Sequence, residues 1–193
     1  MLATVAFTVA ELISLFIFAA QGGDYDLGEI ARSGTFFLQS LLTLLAGIFL
    51  LGGLVRIYLG QSRASGKLGF VGFVVAFFGT ALVVGDFYAN TFVTPMVALG
   101  DPAFLDNPLS VVLQAWLPFS FGLVALSWLM FAVATLRACV YPRGPSWLLL
   151  VGAVVAWVPI PLAKLPFYTA VGWMELHLSK ASTVADTARS RSG

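Results

Sequence analysis

The sequence predicts an all-α integral membrane protein, a bundle of five transmembrane helices whose fifth helix is broken by prolines. Three observations predict it. Of the 193 residues 60% are apolar and 10% charged, with mean hydropathy +0.96, whereas a soluble domain carries about 25% charged residues. The apolar residues fall in runs of about 20 or more, the length that crosses a ~30 Å hydrocarbon layer as a helix. The runs are separated by short clusters of Gly, Pro, Asp and Ser, the residues of turns. Segments of alternating polarity, the mark of a membrane β-barrel, do not occur in the sequence.

The first span is residues 2–20. No Lys or Arg precedes it, Glu11 interrupts it, and Phe18-Ala19-Ala20 fits a small-x-small cleavage site poorly, so it reads as a retained helix and not a signal peptide. After QGGDYDLGEIARSG comes the second span, 35–59, and after GQSRASGK the third, 68–94. The fourth, 109–138, follows GDPAFLDNP. The fifth begins after CVYPRGPS at Trp147 and meets Pro159, Pro161 and Pro166. Each proline removes a backbone donor and crowds the preceding turn, so a kink or break is expected. The crossing is therefore assigned to 147–164, and 166–180 to a short interfacial helix with Phe167, Val171 and Met174 on its apolar side. A dip into the membrane and back is the alternative. Residues 1–180 form a single bundle, and 181–193, small and polar, a flexible tail.

Short loops rich in Lys and Arg mark the cytoplasmic side. Arg56, Arg63, Lys67, Arg137 and Arg143 flank the second and fourth loops; the first and third carry Asp24, Asp26, Glu29, Asp101 and Asp106 with Arg32 alone. An amino terminus in the cytoplasm follows, in a bacterial cytoplasmic membrane, no organelle address being legible. Five crossings then put the tail outside, where Lys180, Arg189 and Arg191 break the rule. Aromatic residues are expected at the boundaries: Tyr58, Tyr141 and Trp147 at the inner one, and Tyr88, Trp116, Tyr168 and Trp173 at the outer. Trp128 and Trp157 fall deeper, as packing between the fourth and fifth helices.

Ionisable residues inside a bilayer are costly and mark places of interest. Counting from loop ends puts Gln39, Asp86, Asn90, Gln114 and Lys164 in one polar layer of the outer leaflet, with Glu11 beneath them. These six are the candidate ligand or ion pocket; the competing explanation is a structural network in which Asp86 and Lys164 neutralise each other. Gly69, Gly72, Ala76 and Gly79 follow the spacing of a helix-packing seam, which would carry Asp86 and Asn90 into the interior. A parallel stripe, Thr4, Thr8, Glu11 and Ser14, marks the first helix.

Function is bounded mainly by exclusion. A single cysteine, Cys139, rules out an internal disulfide, and a single histidine, His177, rules out a two-histidine metal motif. Ser120 and Ser127 lack a histidine base, so no hydrolase triad is indicated. A net charge of +1 gives no field for nucleic acid. No catalytic residue, metal or cofactor is expected. The partners implied are the lipid bilayer and other membrane subunits or a second copy of the chain. The expectation is a non-catalytic subunit, scaffold or assembly partner of a membrane complex. A small transporter or channel using the polar layer is the alternative, and a lipid- or quinone-handling enzyme with Glu11 and Asp86 as its carboxylates the third.

Overall fold

The computed structural model describes residues 2–20, 27–101, 104–105, 110–156 and 163–190, without the side chains of 18–20, 27, 110–118, 121 and 181–190. The helices are α1 (Leu2–Ala20), α2 (Leu27–Ile30), α3 (Gly34–Tyr88), α4 (Thr94–Gly100), α5 (Ser110–Ala138), α6 (Arg143–Val155) and α7 (Leu165–Ser190). A π-helical turn, Ala89–Val93, joins α3 to α4. Among the described residues there are no strands.

Helix α3 is two limbs. At Gly66 the backbone leaves the helical region for φ 56°, ψ −151°, a conformation that glycine adopts without a Cβ clash. The chain reverses there. Tyr58 stacks on Phe73 with ring centroids 4.2 Å apart, Gly47 lies against Val84 and Phe87, and the Asn90 amide donates to Ser40 Oγ over 3.3 Å. Those pairs fix an antiparallel hairpin in one register. The stretch Gly34–Gly100, 67 residues, is the one helix among the described residues long and apolar enough to cross a membrane by length and composition, and the reversal folds it in two.

The second limb packs on α5 through its small residues. Gly69, Gly72, Ala76 and Gly79 are all buried. A Cβ on Gly72 would lie 3.2 Å from Phe131 Cα, and one on Gly79 would lie 3.4 Å from Val124 Cα. The backbones approach because nothing projects between them. Gly69 faces Ser65 at the turn. Helix α1 covers the upper part of the hairpin with Ala3, Phe7 and Ala10 buried, so its expected polar stripe, Thr4, Thr8, Glu11 and Ser14, is half-buried at the edge of the contact. Phe7 stacks on Tyr168 at 4.1 Å, and Thr4 Oγ1 donates to the Tyr168 carbonyl over 2.8 Å.

The end of the chain departs from the expectation of a single crossing over 147–164. Helix α6 has 13 residues, about 20 Å at 1.5 Å per residue, short of a ~30 Å crossing. By Lys164 the chain has turned, and α7 runs back beside α6. A Cβ on Gly152 would sit 2.6 Å from Phe167 Cα, Gly144 faces Trp173, and Gly60 faces Leu178. His177 meets the Tyr141 ring edge-on at 6.4 Å. Residues 166–180 are thus part of a longer helix packed against α6. Phe167, Tyr168, Ala170, Val171 and Met174 are buried, because the bare surface at Gly152 lets α7 close onto α6 and cover its own apolar face. The helix continues to Ser190, past the boundary expected at Lys180. Tyr168 and Trp173, expected at the outer boundary, are placed by the reversal in the core and beside the α5–α6 turn. Residues 157–162, with Trp157, Pro159 and Pro161, lie outside the described residues.

At the opposite end from Gly66, Ile30, Ala31, Phe36 and Ala98 form a small second core. Ser33 caps α3, its hydroxyl accepting from the Phe36 N–H at 3.1 Å. Arg32 Nε donates to the Ala98 carbonyl over 2.8 Å, satisfying one of the carbonyls that the last turn of α4 leaves unpaired. The π turn admits one extra residue and shifts the helical phase. Thr91 is fully buried, and Asn90, expected to face the interior, is exposed.

Two glycines in the same fold should respond oppositely to one methyl group. Gly85→Ala places its Cβ in open space and should raise stability by about 0.5–1 kcal/mol. Gly152→Ala drives its Cβ into the Phe167 backbone and should lower stability by about 1–3 kcal/mol. Thermal unfolding in detergent reads both; equal effects would mean that α7 does not pack on α6.

Candidate functional site

Glu11 lies in the middle of α1 and Lys164 in the turn that leads into α7. The long-range packing of Phe7 on Tyr168 brings them together, with Lys164 Nζ 3.8 Å from Glu11 Oε1. Their side chains are 33% and 19% exposed, Lys164 first. The ammonium also stands 5.5 Å from the centre of the Phe7 ring, a cation–π distance. Next to the pair is a cavity of about 50 Å³ whose walls include Lys164, Thr80, Phe87, Trp128, Phe167 and Tyr168. It has room for a few waters or the end of an aliphatic chain.

Trp128, fully buried, forms one wall. Its indole N–H donates to Thr80 Oγ1 at 2.8 Å, and that hydroxyl donates to the Ala76 carbonyl at 2.7 Å. Phe167 and Phe131 meet the indole edge-on at 4.7 and 5.7 Å. The wall is thus rigid and its polar atoms are bonded. What the site offers a ligand is an apolar interior and a charged, partly hydrated mouth, able to orient a molecule with one polar and one apolar end.

Of the six residues expected to share a layer, the structure brings Glu11 and Lys164 into contact. Asp86 is half-buried, next in sequence to the cavity residue Phe87. Gln39 is half-buried, and its carbonyl accepts from the Thr43 hydroxyl at 3.0 Å. Asn90 bridges to Ser40 in the α3 hairpin. The side chain of Gln114 lies outside the described residues.

Two polar contacts near the Gly66 end were missed by reading the sequence. Gln61 is buried, and its Nε2 donates to Thr135 Oγ1 at 2.9 Å, locking α3 to α5. Read as part of a loop, it in fact extends the buried stripe Leu50, Leu54, Ile57, whose 4-3-4 spacing was the available signal. Tyr141 Oη donates to the Ile57 carbonyl at 2.9 Å. Burial pushes the Tyr141 phenol up to about 12, the Arg56 charge acting in the opposite direction. Comparison with protein-family models, curated proteins and solved structures returned no match to this chain.

The ion pair predicts a coupling. Glu11→Gln and Lys164→Met should each lower the unfolding temperature, and the double variant should recover part of the loss, with a coupling of about 0.5–1 kcal/mol for a partly exposed pair. Strict additivity would reject the pair. Tyr141 predicts a pH dependence. Its folded pKa is raised above 10, so the native state holds the proton more tightly, and its contribution is complete below pH 10 and lost as pH rises through about 12. Alkaline unfolding midpoints should show this loss in the wild type, and Tyr141→Phe should remove that part of the slope.

Proposed function

We propose that this chain is a multi-pass membrane protein with no chemistry of its own, acting as a subunit or assembly partner of a membrane complex. The observation that carries the reading is the amount of large apolar side chain left on the outside of the bundle. Phe16, Phe78, Met96, Leu99 and Leu126, on four different helices, are 59–73% exposed. The interior holds Ser40, Gln61, Thr80, Thr91, Ser127 and Thr135. Soluble monomers rarely expose contiguous apolar surface beyond a few hundred Å², whereas lipid or a membrane partner covers it at no cost.

The helix geometry supports four crossings, namely α1, the first limb of α3, the second limb with α4, and α5. The α6–α7 hairpin then enters from the Gly66 end and leaves by it. This arrangement replaces a fifth crossing and returns the tail to the side of the basic loops, removing the conflict raised by Lys180 and Arg189.

The test is the state of the tagged chain extracted from its own membrane in mild detergent. The expected result is a particle well above the 20.6 kDa of one chain, with other membrane polypeptides in fixed ratio. A lone chain overturns the subunit reading. A second reading, a small transporter, is favoured by the cavity at the Glu11–Lys164 pair; a lone chain carrying a bound small molecule would support it.

A further inference from the structure

The return of α7 gathers cations at one end of the bundle. Arg56, Arg63 and Lys67 flank the Gly66 reversal, Arg137 and Arg143 the turn between α5 and α6, and Lys180 follows two residues after Leu178, which packs over Gly60. All six are exposed. The carboxylates on that part of α7 are Glu175, which lies over Gly53, and Asp186 further along.

Within this surface is a groove of about 640 Å³ lined by Leu136, Cys139, Tyr141, Arg143, Ser146 and Trp147. Its floor is bonded inward. The Tyr141 hydroxyl donates to Ile57 and Ser146 Oγ to the Pro142 carbonyl at 3.0 Å. Arg143 stands exposed at the groove, and Arg137 follows directly on the wall residue Leu136. Trp147 is 56% exposed, and Trp173, 51% exposed, lies beside Gly144. Exposed tryptophans next to a cationic rim are what the boundary between headgroups and acyl chains selects.

We propose that this groove docks the phosphate headgroup of an anionic phospholipid. Arg143 is the primary counter-charge, because a guanidinium matches phosphate oxygens two at a time. Trp147 and Leu136 flank the glycerol and first methylenes. The volume is in the range of small-molecule sites, and the cationic surroundings attract an anionic leaflet. The inference rests on the membrane reading above. Its test is separable, since a chain that stays soluble without detergent defeats that reading before any lipid is added.

Cys139, exposed and the chain's single thiol, lines the groove and reports on it. The full chain in detergent is titrated with phosphatidylglycerol, phosphatidylcholine or inorganic phosphate while the rate of Cys139 alkylation is followed. Phosphatidylglycerol should slow alkylation, and the other two should not. Arg143→Gln should weaken the protection about fivefold, the effect of one cation at an anionic surface. Arg143→Lys should retain part of it, and Arg63→Gln, outside the groove lining, should weaken it less than Arg143→Gln does. Equal protection by phosphatidylcholine, equal protection by inorganic phosphate, or unchanged protection in Arg143→Gln would each overturn the proposal. The unfolding temperature of every variant, measured in parallel, separates loss of binding from loss of fold.

Discussion

The antiparallel register of the two α3 limbs is the constraint on which the other elements depend. It is set at one end by Gly66, whose backbone torsions exclude a side chain at low cost, and along its length by Gly47 beneath Val84 and Phe87. Once the limbs are in register, the second presents Gly72, Ala76 and Gly79 as a smooth track for α5. The first presents Leu50, Leu54, Ile57 and Gln61 toward the interior. Gln61 then reaches Thr135, and the Ile57 carbonyl receives Tyr141. Slipping the hairpin by one residue would turn a helix by about 100° and move all of these contacts off their partners together.

The hydroxyls along the helices follow a second regularity. Thr8, Thr43, Thr80, Thr91, Thr135 and Ser146 each return their hydroxyl proton to the carbonyl four residues back. A hydroxyl bonded within its own helix needs no water and no partner helix. Only two of these, Thr80 and Thr135, also accept across a helix interface, from Trp128 and Gln61. These hydroxyls are therefore locally neutralised, and specificity between helices comes from a handful of directed hydrogen bonds, Thr4 to the Tyr168 carbonyl and Tyr141 to the Ile57 carbonyl among them, together with aromatic contacts and the glycine surfaces. Such an interior suits surroundings that supply no hydrogen bonds of their own.

The helices themselves were legible because apolar runs and turn residues are local properties, and the glycine seam was legible because its spacing is. The reversal of α7 was not. Pro159 and Pro161 announce a break but carry no information about direction, which is decided by the fit of Phe167 to a bare Gly152, fifteen residues earlier in the chain. Counting residues upward from Trp147 set Lys164 above Glu11, whereas the two side chains meet; that contact joins opposite ends of the sequence and depends on Phe7 meeting Tyr168. Asn90 was misplaced for a smaller reason: the phase of a regular helix was carried through five residues that are π-helical.

That π turn also separates two fitting problems. Below it, rotation about the helix axis is dictated by α5 through Gly72 and Gly79; above it, Ala98 must face inward at the position where Arg32 bonds its carbonyl and Phe36 covers it. An uninterrupted α-helix has a single phase, and the two demands would compete for it. The extra residue works as a vernier, letting each end of the long helix seat against its own neighbours. Changes in the loop before α3 can thus be accommodated at the upper end without disturbing the glycine seam at the lower.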